Sequence, residues 1–431
     1  MTMTTIATII LATSFVIMLL LRFPIALTIA GSALLTIMYL DVPWVVVGQR
    51  MISSLDSYTL MAIPFFILAG AIMSEGGLAA RLINLAQLFV GAVRGGLGLV
   101  TCVACMMFGN ISGSAAADAS SVGSVLIPAM KKRGYNPEFT VGLTTSAAIQ
   151  GVVMPPSYNM ILYAVAAGGV SVSSLFMAGI IPCLILLTAL MTTTYIIARK
   201  RNYPKGEPIP LKDVPRIIKE GLLSVMMGVI ILGGIFSGWF TATEAGAIAC
   251  VYAFIITFFV YKDIPLSHTV IILKKTFRTV AMVLFLIAAS GAFGWVISYL
   301  QIPGMITNSF LGFTDNPILI LLMLNVLLLI LGAPMDMAPL ILIMTPILYP
   351  VVLELGVDPV HFGIIMILNL GIGLLTPPVG TVLFVGCAIG KTSVWKTSKA
   401  LLPFYAVMIG VLLLLTYVPE IVLWLPNLMS K

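Results

Sequence analysis

The chain has 431 residues, of which 60% are hydrophobic and 9% charged. Soluble chains carry about 25% charged residues, so a water-soluble fold is excluded; at ~20 apolar residues per crossing, roughly a dozen membrane elements are expected. The net charge of +7 gathers in a few loops, as the bias of cytoplasmic loops for Lys and Arg requires, and offers no basic soluble face for nucleic acid.

Apolar length and Gly/Pro punctuation set the expected helices. The first is 5–21. Arg22 follows this run and no basic residue precedes it, the reverse of a signal peptide, so a retained helix with its N-terminus outside is expected. Next come 25–40, a surface segment at 44–54, 58–74, an amphipathic 78–93 and 96–109. A polar patch from Asn110 to Ser114 leads into 115–130. Residues 138–168 are apolar but broken at Pro155-Pro156, and 172–198 follows. Residues 199–220 carry Arg199, Lys200, Arg201, Lys205, Lys212, Arg216 and Lys219 with four prolines, the signature of a cytoplasmic linker. Beyond it lie 221–240, 243–261, a basic surface segment at 266–278, then 279–299, 304–312, 316–332 and 338–354. A run at 360–390, broken at Pro377-Pro378, and a helix at 400–418 complete the series.

The punctuation repeats. A shift of 222 residues carries Pro128 onto Pro350, Gly134 onto Gly356, Pro137 onto Pro359, Gly151 onto Gly373, Pro155-Pro156 onto Pro377-Pro378 and Gly168 onto Gly390. Chance matches between apolar helices would be mostly Leu and Val, whereas these residues set backbone shape. The charges do not repeat. Lys131, Lys132 and Arg133 fall on Leu353, Glu354 and Leu355, while Lys274, Lys275 and Arg278 fall on Ile52, Ser53 and Asp56. With basic loops in the cytoplasm, the halves cross the membrane in opposite senses. An all-α polytopic membrane protein is expected: a first inverted repeat at 1–198, a linker at 199–220 and a second repeat at 221–431. This is a recurrent plan of secondary transporters.

Each half holds two interruptions within apolar sequence: Asn110 to Ser114 and Met154 to Ser157, then Gly332 to Asp336 and Thr376 to Gly380. Backbone broken in hydrocarbon survives only where it is buried in protein or lines a cavity. Freed carbonyls at half-helix C-termini suit sodium, and half-helix N-termini suit a carboxylate. Asp118 and Asp336 are the acids deepest in apolar sequence, where a carboxylate is functional by default. Asp336 lies beside a break and is suited to orient a substrate hydroxyl or to carry charge in ion coupling. Asp118 is open to a second reading, as the cap of the helix after the polar patch. Glu244, in Thr243-Glu244-Ala245-Gly246, reads as a helix-start carboxylate. Cys102 and Cys105 form a C-x-x-C, but they lack a second pair and His268 and His361 are remote in sequence, so they read as small packing residues. Gly390-Lys391-Thr392 lacks the upstream glycine of a phosphate loop, Val385 standing there. No hydrolytic triad or ATP site is legible, and an ion gradient is the expected driving force.

Six motifs together carry a resemblance over essentially the whole chain. They are Ile63-Pro64-Phe65-Phe66-Ile67-Leu68-Ala69-Gly70, Ser112-Gly113-Ser114, Pro155-Pro156-Ser157, Thr243-Glu244-Ala245-Gly246, Asp358-Pro359-Val360-His361-Phe362-Gly363 and Thr376-Pro377-Pro378-Val379-Gly380. The chain resembles the large membrane subunit of a tripartite ATP-independent periplasmic (TRAP) transporter. The resemblance implies re-entrant hairpins, an elevator mechanism with scaffold and transport domains each drawn from both repeats, and a place in the bacterial inner membrane. It implies two sodium ions, a small membrane subunit and a periplasmic binding protein that supplies a small carboxylate. One sodium is then expected near Ser112, Gly151, Met154 and Pro155, the other near Gly332, Gly373, Thr376 and Pro377. Substrate is expected between them, near Ser114, Ser157 and Asp336. Two departures stand out: Ala242 where the family often has proline, and Tyr158-Asn159 where apolar residues are usual. The Ser112 to Asp118 run with Met335-Asp336 resembles acidic-sugar members more than four-carbon dicarboxylate members. Sialic acid is therefore the expected substrate, with a C4-dicarboxylate carrier or a stand-alone symporter as the alternatives.

Overall fold

A peptide group in hydrocarbon must find its hydrogen-bond partner within the protein, which helices achieve locally. The computed structural model describes residues 3–206, 209–314 and 316–429; residues 207 and 208 of the expected linker lie outside them. Among the described residues the regular structure is helical, with a single isolated bridge between Arg94 and Lys205. The first half comprises α1 (Met3–Leu20), α2 (Ile25–Tyr39), α3 (Val45–Ser53), α4 (Ala62–Glu75), α5 (Leu78–Val90), α6 (Gly96–Ser112), α7 (Ala115–Lys132), α8 (Pro137–Ala148), α9 (Gln150–Val153), α10 (Tyr158–Ala167) and α11 (Val172–Lys200). The second comprises α12 (Val214–Phe236), α13 (Ala242–Ile255), α14 (Thr269–Tyr299), α15 (Ile302–Phe313), α16 (Pro317–Gly332), α17 (Met337–Glu354), α18 (Pro359–Gly373), α19 (Thr381–Gly390), α20 (Val394–Tyr417) and α21 (Pro419–Met429). Eight helical stretches among the described residues are long and apolar enough to cross a membrane.

Helix boundaries recur at the shift of 222 residues because the punctuation does. The bounds of α7 fall on those of α17, and those of α8 begin where α18 begins. Both of the latter start at an Asx-Pro pair. Asn136 accepts from the Phe139 N–H at 2.8 Å, and Asp358 accepts from the N–H groups of Val360 and His361 at 2.7 and 3.2 Å. Proline follows each cap, where its missing N–H costs nothing. Packing is reciprocal as well: α7 lies on α19 while α17 lies on α10, and α4 lies on α13 while α2 lies on α14. Such exchanged pairs are what a twofold relation between the halves produces.

The structure revises three expected elements. Residues 266–278 and 279–299 are not separate: α14 runs unbroken from Thr269 to Tyr299. No Gly or Pro stands between Pro265 and Gly291, and lysine is a good helix former, so the charges mark a surface without ending the helix. The α12 helix begins at Val214, inside the expected linker, with Pro215 in its first turn. Helix α21 was not expected; it holds an internal Pro426 and packs on α11. Outward apolar side chains such as Leu20, Phe89, Phe277 and Ile330 remain exposed, which suits a lipid-facing surface.

Charged contacts join the halves, and the most shielded of them is centred on Arg81. Arg81 on α5 donates two hydrogen bonds to Asp263, at 2.6 and 2.9 Å, and its guanidinium lies 3.8 Å from the ring centroid of Tyr261. The fork is bidentate and mostly shielded, so it holds more than an ordinary surface pair. Asp263→Ala is expected to lower stability by about 1 kcal/mol, and to add little once Arg81 is also Ala. Thermal unfolding of the two single variants and the double variant in detergent checks this; additive losses would mean that the pair does not couple the halves.

Candidate functional site

The site is built where a hairpin tip meets a broken helix. Helix α6 ends at Ser112, and Gly113 takes the left-handed conformation (φ 59°) that turns the chain into α7. Ser114 caps α7, its hydroxyl accepting from the Ala117 N–H at 3.4 Å. The Ser112 hydroxyl donates to the Asp118 carboxylate and accepts from the Ser114 N–H at 3.1 Å. Asp118 is fully buried, and its second oxygen finds no hydrogen-bond partner among the described residues.

The facing break lies in the run from α8 to α10. After α9 the chain extends at Met154, passes through a cis Pro155-Pro156 bond and resumes as α10 at Tyr158. Tip and break touch through backbone. A Cβ on Gly113 would stand 3.3 Å from the Pro156 carbonyl oxygen, and one on Gly151 would fall on the Asp118 carboxylate. Glycine is therefore required at Gly151 for close approach. Asn159 donates to the Gly113 carbonyl at 3.3 Å, so this member of the unusual Tyr158-Asn159 pair fastens the break to the tip.

The second half repeats the crossing with different chemistry. A Cβ on Gly373 would stand 2.7 Å from Gly332 Cα. The N–H groups of Val379 and Gly380 both point to the Ala333 carbonyl at 3.4 Å, so in this half the break's freed N–H groups are met by the tip. Thr376 donates its hydroxyl to the Ile372 carbonyl at 3.1 Å, and the Pro377-Pro378 bond is also cis. The first break is buried, whereas Pro377 and Pro378 are exposed. Asp336 opens α17 and is exposed.

The expected site residues thus fall into distinct places. Ser112 and Gly151 gather round Asp118, with Met154 and Pro155 next along the break. Gly332 and Gly373 are in contact, and Thr376 and Pro377 lie on the second break. Ser114 lines a cavity of about 340 Å³ together with Ser112 and Tyr158. Asp336, on the opposite tip, does not line that cavity. Ser157 is fully buried with its hydroxyl unpartnered among the described residues and does not line that cavity.

Asp118 does not cap α7, since Ser114 occupies that position and Asp118 bonds a hydroxyl on the preceding helix. The signal was present: a serine stood at the natural cap position, which left the acid four residues later without that role. Glu244 is the helix-start carboxylate expected of it, closing a capping box with Thr241. Cys102 and Cys105 are buried free thiols. No group of three His, Cys, Asp or Glu gathers among the described residues.

The family described as "Tripartite ATP-independent periplasmic transporter, DctM component" matches residues 12–421. The chain belongs to this family. Among its relatives, the uncharacterized protein YgiK of Salmonella typhimurium is 42% identical over 98% of both chains. The C4-dicarboxylate TRAP transporter large permease protein DctM of Pseudomonas aeruginosa is 41% identical over 88% of each chain. The sialic acid TRAP transporter large permease protein SiaM of Vibrio cholerae is 39% identical, covering 88% of this chain and 89% of its own. Other relatives are named for isethionate and 2,3-diketo-L-gulonate. The chain is thus a multi-pass transporter permease and not an enzyme. The YdaH transporter of Alcanivorax borkumensis, at 14% identity, matches 86% of this chain and 87% of its own with a TM-score of 0.61; that likeness extends to the fold alone.

In this TRAP permease, Asp118→Asn is expected to reduce transport by about tenfold or more, the factor that ~1.4 kcal/mol of lost binding gives. Gly151→Ala, whose methyl would meet the same carboxylate, is expected to do the same. Transport assays on variants with unchanged melting in detergent check both; wild-type rates in Asp118→Asn would remove Asp118 from the site.

Proposed function

We propose that the chain is the large subunit of a sodium-coupled importer of a small organic anion, with an acidic sugar such as sialic acid as cargo. The observation that carries this reading is the buried Asp118 carboxylate, held by Ser112 beneath one tip and pressed against the glycine-bared backbone of the facing break. A charged carboxylate in such a place needs a cation, and a helix break supplies neutral oxygens to complete its shell. One sodium sits among Ser112, Asp118, Gly151, Met154 and Pro155. The other sits among Gly332, Gly373, Thr376 and Pro377. Cargo lies between them, near Ser114, Ser157 and Asp336.

The halves are inverted in the bilayer, with Lys131 to Arg133 in the cytoplasm, Leu353 to Leu355 outside and the N-terminus periplasmic. The tips and broken helices then form a transport domain that moves against a scaffold in the bacterial inner membrane. The word "tripartite" in the family description supports a small membrane subunit and a periplasmic binding protein as partners. The relatives' names span sialic acid, C4-dicarboxylates, isethionate and diketogulonate, and so support small acids as a class; the resemblance of the first tip to acidic-sugar members favours sialic acid.

Reconstitution with both partners in liposomes tests the function, using sialic acid, succinate, 2,3-diketo-L-gulonate and isethionate. Sialic acid uptake that collapses when choline replaces sodium is the expected result. Uptake indifferent to sodium would overturn the coupling, and accumulation of succinate alone would overturn the acidic-sugar assignment. Single cysteines at Lys132 and Glu354 should react with impermeant reagents from opposite faces; labelling from one face would overturn the inversion.

A further inference from the structure

The shift of 222 residues relates not only helices but two clefts. The larger, of about 560 Å³, is lined by Ser53, Ser54 and Ser57. Their counterparts Lys275, Thr276 and Thr279 line the cavity of about 340 Å³ that reaches Ser112 and Ser114. The hydroxyl at the second and third of these positions is kept in both halves. The first position differs, with serine in one cleft and lysine in the other. The lining of the larger cleft holds no charged side chain, so charge has been placed only where the cavity meets the first tip.

We propose that Lys275, Thr276 and Thr279 form an anion subsite that receives the carboxylate or sulfonate group of the cargo; this rests on the anion-carrier reading above and names where its negative charge is met. Lys275, Thr279 and Val283 stand at intervals of four on α14, which aligns them in one stripe along the cavity wall. The Lys275 ammonium donates to Glu75 at 2.6 Å. An ammonium has three donors, and this side chain is largely exposed, so donors remain for an incoming anion. Thr276 is 7% exposed, and its hydroxyl has no partner among the described residues. An unpartnered buried hydroxyl on a cavity wall is a donor awaiting an acceptor. Glu75 keeps the ammonium on the cavity wall without capping it, and His268 lies 3.7 Å from the same carboxylate.

The test is binding of labelled sialic acid, succinate and isethionate to the reconstituted complex at fixed sodium, read as apparent Kd. Lys275→Gln is expected to weaken whichever of these anions wild type binds by about tenfold, with the sodium dependence unmoved. Lys275→Arg should recover most of the loss. Thr276→Val should weaken binding by about threefold, as expected for one lost neutral hydrogen bond. Glu75→Gln releases the ammonium from a competing carboxylate and should tighten binding. Unchanged affinity in Lys275→Gln overturns the subsite, and so does weakening in Glu75→Gln equal to that in Lys275→Gln, since the pair would then be a structural strut. Wild type that binds none of the three anions contradicts the anion-carrier reading itself, and the subsite falls with it.

Discussion

Every N–H and C=O released by a helix break inside hydrocarbon needs a protein partner. In this chain the need is met by bringing two defects together. A hairpin tip, which exposes backbone of its own, is laid against the gap in a broken helix. Gly113 meets Pro156 and Ser157, and Gly332 meets Gly373. The Ala333 carbonyl takes the N–H groups of Val379 and Gly380. Contact at this range demands glycine, and Gly151 and Gly373, related by the shift of 222, both meet that demand. The polar interior of the protein is thus a consequence of satisfying its own backbone, and binding chemistry is added on top.

The added chemistry is asymmetric on a repeated frame. Asp118 has Leu340 as its counterpart, and Lys275 has Ser53. The repeat supplies tips, breaks and hydroxyl-lined clefts to both halves. Single substitutions then give one half a buried acid facing broken backbone and the other a base on the cavity wall. A carboxylate with neutral oxygens favours a small cation, and an ammonium beside free hydroxyls favours an anion. Ser112 links the two, since it bonds the acid and lines the cavity that Lys275 also lines.

Much of this was legible in the sequence because it rests on residues with few alternatives. Paired prolines can only interrupt a helix, and Asx-Pro pairs start one, so α8, α18 and both breaks can be read directly. Elsewhere the residue types are permissive. The lysines of α14 suggest a separate surface segment although nothing there breaks the helix, and α21 resembles an apolar tail because Pro426 stands in its middle. The relative weight of Asp118 and Asp336 is hidden for a different reason. Sequence separation conceals which backbone an acid faces: Asp118 is covered by Gly109 and Gly151 from two other elements, whereas Asp336, at the more obvious break, stays exposed.

An experimental map of the complex in lipid, recorded in sodium and again in choline, tests the tip-on-break crossing and its cargo most directly. Discontinuous helices at both double prolines are predicted, with density between the Asp118 carboxylate and the Gly151 to Pro155 backbone that is present in sodium and lost in choline. Straight helices running through Pro155-Pro156 and Pro377-Pro378, or an Asp118 pocket identical in the two salts, would contradict it.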